Sequence, residues 1–170
     1  MPTTQNATTR KTATHKATTR RSKNDAIKLL TDDHAKVKKM FKEFEKLHKK
    51  NEEGKEELAR QICQELTIHA QLEEEIFYPA AREAIDDDHM MNEAEVEHQA
   101  AKDMIAKIQS MNSSDSMYDA LVTVLAEYVN HHIEEEQNEI FPKMEKAKVD
   151  LEEIGSEIAE RKQALMGEQE

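Results

Sequence analysis

The chain has 170 residues with only three Gly and three Pro, too few turn residues for an all-β fold. Lys and Arg number 24 against 36 Asp and Glu, and residues 1–24 hold six of those bases and no acid, so the remainder is strongly acidic and does not bind nucleic acid through its own surface. The single cysteine, Cys63, excludes an internal disulfide and a Cys-based zinc site, and the expected location is the reducing cytoplasm. Residues 120–129, the longest mainly apolar run, amount to about half a membrane span and include Glu127, so no transmembrane helix is expected. No apolar run resembling a signal-peptide core lies near the first residue. With 37% apolar and 35% charged residues and no Trp, the composition is that of long solvated helices around a narrow seam.

Residues 1–24 are rich in Thr, Ala, Lys and Arg and present no apolar face, which predicts a disordered basic tail. A solvated tail is the expectation; a transit sequence or a nucleic-acid arm are the alternatives. From Ser22 to Asp25 the sequence reads as a helix start, and Ile27, Leu30, His34, Val37, Phe41 and Phe44 follow at three- and four-residue steps, the period of a buried helix stripe. Residues 51–54 break it. A second stripe runs through Leu58, Ile62, Leu66, His69, Glu73, Ile76 and Phe77 and is expected to end or kink near Pro79. The acidic residues 86–88 open a third helix with Met91, Ala94, His98, Ala101, Ile105 and Ile108. After a loop at residues 112–115, a fourth stripe carries Leu121, Leu125, Tyr128, His132, Glu136 and Ile140 up to Pro142. A last helix over residues 151–166 is expected to lie over one end of the bundle. The predicted fold is all-α: an up-down-up-down four-helix bundle over residues 25–146, with an extra helix and tail over residues 147–170.

Each of the four stripes carries a histidine. His69 and His132 both open a His-x3-Glu-x5-Pro pattern, through Glu73 to Pro79 and through Glu136 to Pro142. His34 and His98 sit at matching places in the first and third helices, and all these landmarks repeat at an offset of 63 or 64 residues. In an up-down bundle the even helices run parallel, so the repeat becomes a pseudo-two-fold axis that brings four imidazoles and two carboxylates to one level. A lone buried histidine is most often a satisfied core residue, and an exposed His-x3-Glu pair is an ordinary helix-surface pair. Burying two carboxylates in an apolar seam, however, costs several kcal/mol each without compensation. Metal ligation satisfies all six groups together, because imidazole nitrogen and carboxylate oxygen suit iron, manganese or zinc. His131 and Glu135 form a competing pair one position off the stripe. His15, His48 and His89 have no such context and are expected to be solvated.

At these residues the chain resembles the hemerythrin-like, HHE cation-binding domain, over about residues 25–145. The resemblance implies a non-haem di-iron centre with an oxo or hydroxo bridge, in which Glu73 and Glu136 bridge two irons and His34, His69, His98 and His132 are terminal ligands. It departs from the oxygen-carrying hemerythrins in two places. Their third helix reads His-x3-His where Lys102 stands here, and their fourth-helix Asp ligand falls at Gln137. The set is closer to the iron-sensing domain of an F-box ubiquitin-ligase subunit, although the acid that follows the second-helix histidine there is Ala70 here, with Glu74 a weak substitute. Fewer protein donors leave more positions for small molecules. The expectation is therefore a protein that binds or senses iron, dioxygen, peroxide or NO in the redox or oxidative-stress response, a binder more than a dedicated enzyme. The alternatives are a di-iron oxidase or peroxidase with turnover, and a helical scaffold whose residues 1–24 contact nucleic acid. Zinc or manganese could replace iron. Lys102 is expected to snorkel beside an open coordination position, and Tyr128 either to bond a ligand histidine or to serve as a core aromatic. The chain is expected to be a monomer or a small homo-oligomer with no membrane partner.

Overall fold

The computed structural model describes Ser22, residues 25–47 and residues 53–168; the expectations for His15, His48 and nearly all of the basic tail fall outside these residues. The described residues form five helices and no strand. Helix α1 is Ala26–Leu47. Helix α2 covers residues 53–84 as three segments in line, Glu53–Leu72, a wide π turn at Glu73–Phe77, and Tyr78–Ala84. Helix α3 is Asp88–Ser110, and α4 covers residues 118–146 with a second π turn at Glu136–Ile140. Helix α5 is Leu151–Gly167.

The expected starts are realised by caps. The Asp25 carboxylate accepts from the Lys28 amide at 3.1 Å, Asp87 from Met90, and Asp150 from Glu152 and Glu153, which satisfies amides that have no partner inside the first turn. Between α3 and α4, Asn112 accepts from Ser114 and Asp115 from the Met117 amide.

Helix α1 packs against α2 and α4, and α3 against the same two, the ring of neighbours of a four-helix bundle. Two apolar clusters give the directions. One gathers Ile27 and Leu30 from α1, Leu72 and Phe77 from α2, Met91 from α3 and Met144 from α4. The other gathers Val37 and Phe41, Ile62, Ile105, and Leu125 and Val129. The N-terminal halves of α1 and α3 thus meet the C-terminal halves of α2 and α4, which makes chain neighbours antiparallel. His34 and His98 lie in sequence between residues of the two clusters, and the His69–Glu73 and His132–Glu136 segments lie where α2 and α4 pass from the second cluster to the first. Helix α5 packs along α1 and α2 and closes the first cluster with Ile158 and Leu165.

The prolines do not end their helices. Pro79 and Pro142 lie in the first turn of resumed segments that run on to Ala84 and Lys146. A proline lacks an amide hydrogen and its ring crowds the carbonyl four residues back. The π turn just before each one widens the backbone there, with the Tyr78 amide donating to the Glu73 carbonyl and the Phe141 amide to the Glu136 carbonyl.

Candidate metal centre

Glu73 and Glu136 are the first residues of the two π turns, and both are buried to 1% exposure or less. His34, His98 and His132 are also buried, and His69 nearly so. Their side chains meet. The Nε2 atoms of His34 and His69 are 3.0 Å apart, and those of His98 and His132 are 3.1 Å apart. Glu73 joins the two pairs: Oε1 is 3.0 Å from His69 Nε2 and Oε2 is 3.2 Å from His98 Nε2. Glu136 Oε2 is 3.2 Å from His34 Nε2. All six expected residues therefore converge, as His34, His69, Glu73 and Glu136 in one group and Glu73, His98 and His132 in the other. His89 and the His131–Glu135 pair stay on the surface, the latter with side chains 64% and 47% exposed.

The four imidazoles turn Nε2 inward and Nδ1 outward, and each Nδ1 meets a polar side chain. His98 Nδ1 donates to Glu74 at 2.9 Å and His132 Nδ1 to Glu97 at 2.6 Å. His69 Nδ1 lies 3.7 Å from Asp33, and His34 Nδ1 accepts from the Gln137 amide at 3.0 Å. The outer residues obey the same repeat as the inner ones. Asp33 and Glu97 directly precede the first- and third-helix histidines, and each faces the histidine of the following helix, Glu97 by a hydrogen bond and Asp33 across 3.7 Å. Glu74 and Gln137 directly follow the two glutamates, and each supports a histidine of the opposite half. Sequence reading passed over Asp33 and Glu97, although their matched places beside the histidines were a usable signal. Glu74, considered there as a substitute ligand, holds His98 from outside. The Lys102 ammonium is fixed on Glu74 at 2.6 Å rather than standing at a coordination position. Lys162 of α5 is bonded to Asp33, so the fifth helix reaches the outer layer of the site.

The hydroxyl that bonds these imidazoles belongs to Tyr78, not to Tyr128, which is half-buried one turn before His132 on α4. Tyr78 Oη lies 3.0 Å from His98 Nε2 and 3.3 Å from His132 Nε2.

The electrostatics are those of buried charge. Burial opposes a charge on His69, but the Glu73 carboxylate and the Asp33 contact outweigh it and lift the imidazole to about 10. His98 rises to about 9, burial again being outweighed, here by the facing Glu73 carboxylate and the bond to Glu74. Burial and the charge of Glu73 raise Glu136 to about 8, whereas burial and the charge on His69 push His34 down to about 3. Glu73 is held well below the usual carboxylate range; burial works against this, and His69 and His98 prevail.

All four oxygens of Glu73 and Glu136 are buried without a hydrogen-bond partner. A buried carboxylate in that condition calls for a cation. In each histidine pair the two Nε2 atoms converge to 3.0 or 3.1 Å, and the outer carboxylates are the partners that orient metal-binding imidazoles. The donor set fits a metal site.

A cavity of about 40 Å³ adjoins the four histidines; Val37, Leu66, Ala101, Ile105, Val129 and Ile133 supply its apolar wall. No helix of the described residues is long and apolar enough to cross a membrane.

Comparison with known proteins gives the family and the fold. The family model for the hemerythrin HHE cation binding domain matches residues 25–144. The crystal structure of a hemerythrin HHE cation binding domain-containing protein from Mycobacterium kansasii is similar, with a TM-score of 0.72 and 22% sequence identity over 85% of this chain and 88% of that one. At that identity the likeness is one of fold. No curated protein matches the sequence.

Proposed function

Because the chain belongs to the hemerythrin HHE cation binding domain family, we propose that it holds two non-haem iron ions among His34, His69, His98, His132, Glu73 and Glu136, and that it binds or senses iron, dioxygen, peroxide or NO in redox stress. The observation that carries this reading is the buried, unpartnered Glu73–Glu136 pair encircled by four inward Nε2 atoms. When bound, the ions supply redox-active Lewis-acid positions for a small ligand. Nitrogen and oxygen donors suit iron, with manganese and zinc as the alternative occupants of the same ligands.

The protein's own groups have separable tasks in this reading. Glu73, with one oxygen toward each histidine pair, ties the two halves together. Glu74 and Glu97 hold their imidazoles with Nε2 inward, Asp33 stands 3.7 Å from His69 Nδ1, and Gln137 serves His34 with whichever end of its carboxamide the Nδ1 proton requires. The adjoining cavity has room for a few water-sized molecules, and its largely apolar wall favours a small uncharged ligand over an ion. The protein is proposed as a binder rather than an enzyme with turnover, a point that steady-state peroxide consumption decides.

The test is an anaerobic ferrous titration followed by desalting and metal analysis. Two irons per chain are expected, with clear losses in His69→Ala and His132→Ala and none in His89→Ala. Wild-type iron content in both ligand variants would overturn the assignment.

A further inference from the structure

A second opening leads to the same centre, and its chemistry is the reverse of the apolar cavity's. Between α3 and α4 lies a cleft of about 50 Å³ whose walls carry Glu93 and Glu97 from α3 and Glu135 and Glu139 from α4. Each pair is four residues apart, so each stacks on one face of its helix and the two faces oppose across the cleft. Its floor is His132 and Glu136. Glu136 is 1% exposed, and neither of its carboxylate oxygens has a hydrogen-bond partner. At its surface end, Glu97 and Glu135 of the walls and the neighbouring His131, which does not line the cleft itself, offer ligand atoms within 4.8 Å of one another.

We propose that this cleft is the path by which divalent cations reach the buried centre, with Glu97, His131 and Glu135 receiving the ion at the mouth and Glu136 at the floor. The inference rests on the reading of the centre as a metal site and adds the route into it. A dication leaving water needs oxygen or nitrogen donors at each step, since desolvation without them costs far more than binding returns. The cleft supplies carboxylates from surface to floor. The apolar cavity does not. Its acids Asp33 and Glu65 are held by Lys162 and Lys36, and Lys102 stands at its wall bound to Glu74. In the cleft the acids meet histidines instead: Glu93 pairs with His89, Glu135 with His131 and Glu97 with His132. Lys143, beside Met90 of the cleft wall, is engaged by Asp87. Helix faces lined with one sign of charge focus the opposite charge and raise its arrival rate.

The experiment follows uptake of Co²⁺ by stopped-flow absorption at low ionic strength. The triple variant Glu93→Gln, Glu135→Gln, Glu139→Gln alters exposed side chains only. A control triple, Glu43→Gln, Glu45→Gln, Glu56→Gln, removes the same charge near the other apolar cluster. The cleft variant is expected to load about tenfold more slowly or worse, and the control to stay within about twofold of wild type. Added salt should shrink the difference, and cobalt bound at equilibrium should be equal in all three. Unchanged uptake in the cleft variant overturns the proposal, as does equal slowing in the control or a fall in equilibrium cobalt without slowing. The single variants Glu93→Gln and Glu139→Gln give graded slowing and keep the test open should the triple variant lose helicity. Failure of the underlying reading looks different: wild-type protein takes up no cobalt, or His69→Ala and His132→Ala take up as much as wild type.

Discussion

Tyr78 and Phe141 stand at equivalent points of the two halves of the chain, 63 positions apart, and place a hydroxyl beside one histidine pair and a bare ring beside the other. The Phe141 ring lies parallel to that of His34, with centroids 5.9 Å apart. The Tyr78 ring tilts against His98 at 5.1 Å, and its oxygen reaches both Nε2 atoms of the second pair. Burial and the nearby Glu136 and Glu73 charges keep this phenol protonated well past its ordinary range. The two halves, alike in their histidines, are therefore chemically distinct.

That asymmetry predicts the behaviour of Tyr78→Phe. The ring is buried and Phe141 shows that the fold accepts phenylalanine at this position, so packing is kept. In metal-free protein the imidazole nitrogens lose a partner, and stability should fall by about 1–3 kcal/mol. In loaded protein the same nitrogens face the metal, and the loss should be less than half as large. Urea denaturation of both forms measures it; equal losses would mean that the hydroxyl does not serve those nitrogens.

The outer carboxylates predict a graded loss of affinity. Glu74→Ala and Glu97→Ala remove the acceptors that orient His98 and His132, and each should weaken cation binding by about 10–100-fold. Tyr128→Phe should leave it unaltered. Competition against a chelator of known affinity gives the constants, and wild-type affinity in both glutamate variants would contradict the orienting role.

The buried groups also set how metal-free protein responds to pH. Folding raises His69 from 6.5 to about 10, His98 from 6.5 to about 9 and Glu136 from 4.5 to about 8. The folded state thus holds more protons than the unfolded chain over this range, and the stability these groups add is lost as pH rises through their folded values. His34, lowered to about 3, acts oppositely and costs stability below 6.5. The melting temperature of metal-free protein should fall from about pH 6 to about pH 9. Bound cations replace the same protons, so the stabilisation conferred by metal should grow over that interval. Parallel melting profiles for the two forms would refute the assignment of these shifts.

How much of this was legible beforehand follows from the range of each signal. A helical stripe is written within one helix, so Ile27, Leu30, Val37 and Phe41, or Met91, Ile105 and Ile108, declare their burial by spacing alone. The repeat of His69–Glu73 at His132–Glu136 is also local, and with antiparallel connections it implies a shared level. It even separates His132 from His131, because one residue turns a helix by about 100° and carries the side chain from core to solvent.

Contacts between helices are not written that way. Whether Lys102 meets a coordination position or Glu74, and whether Tyr78 or Tyr128 reaches the imidazoles, depends on the rotation and axial stagger of whole helices. Those are set by how the two apolar clusters interdigitate above and below the polar layer. The π turns lie beyond local reading for a related reason. Pro79 and Pro142 signal a break by their chemistry, and only a wide turn supported by packing on both sides lets the helix continue through them. The sequence by itself therefore determined where the buried stripes run and which six side chains share a level, although Leu58, Ile76, Leu121 and Tyr128 of those stripes are half-buried and Val122, Val129 and Ile133 take the core positions beside them. The tertiary structure decided which nitrogen of each imidazole faces inward and what stands behind it, because those outcomes depend on backbones brought together from four separate helices.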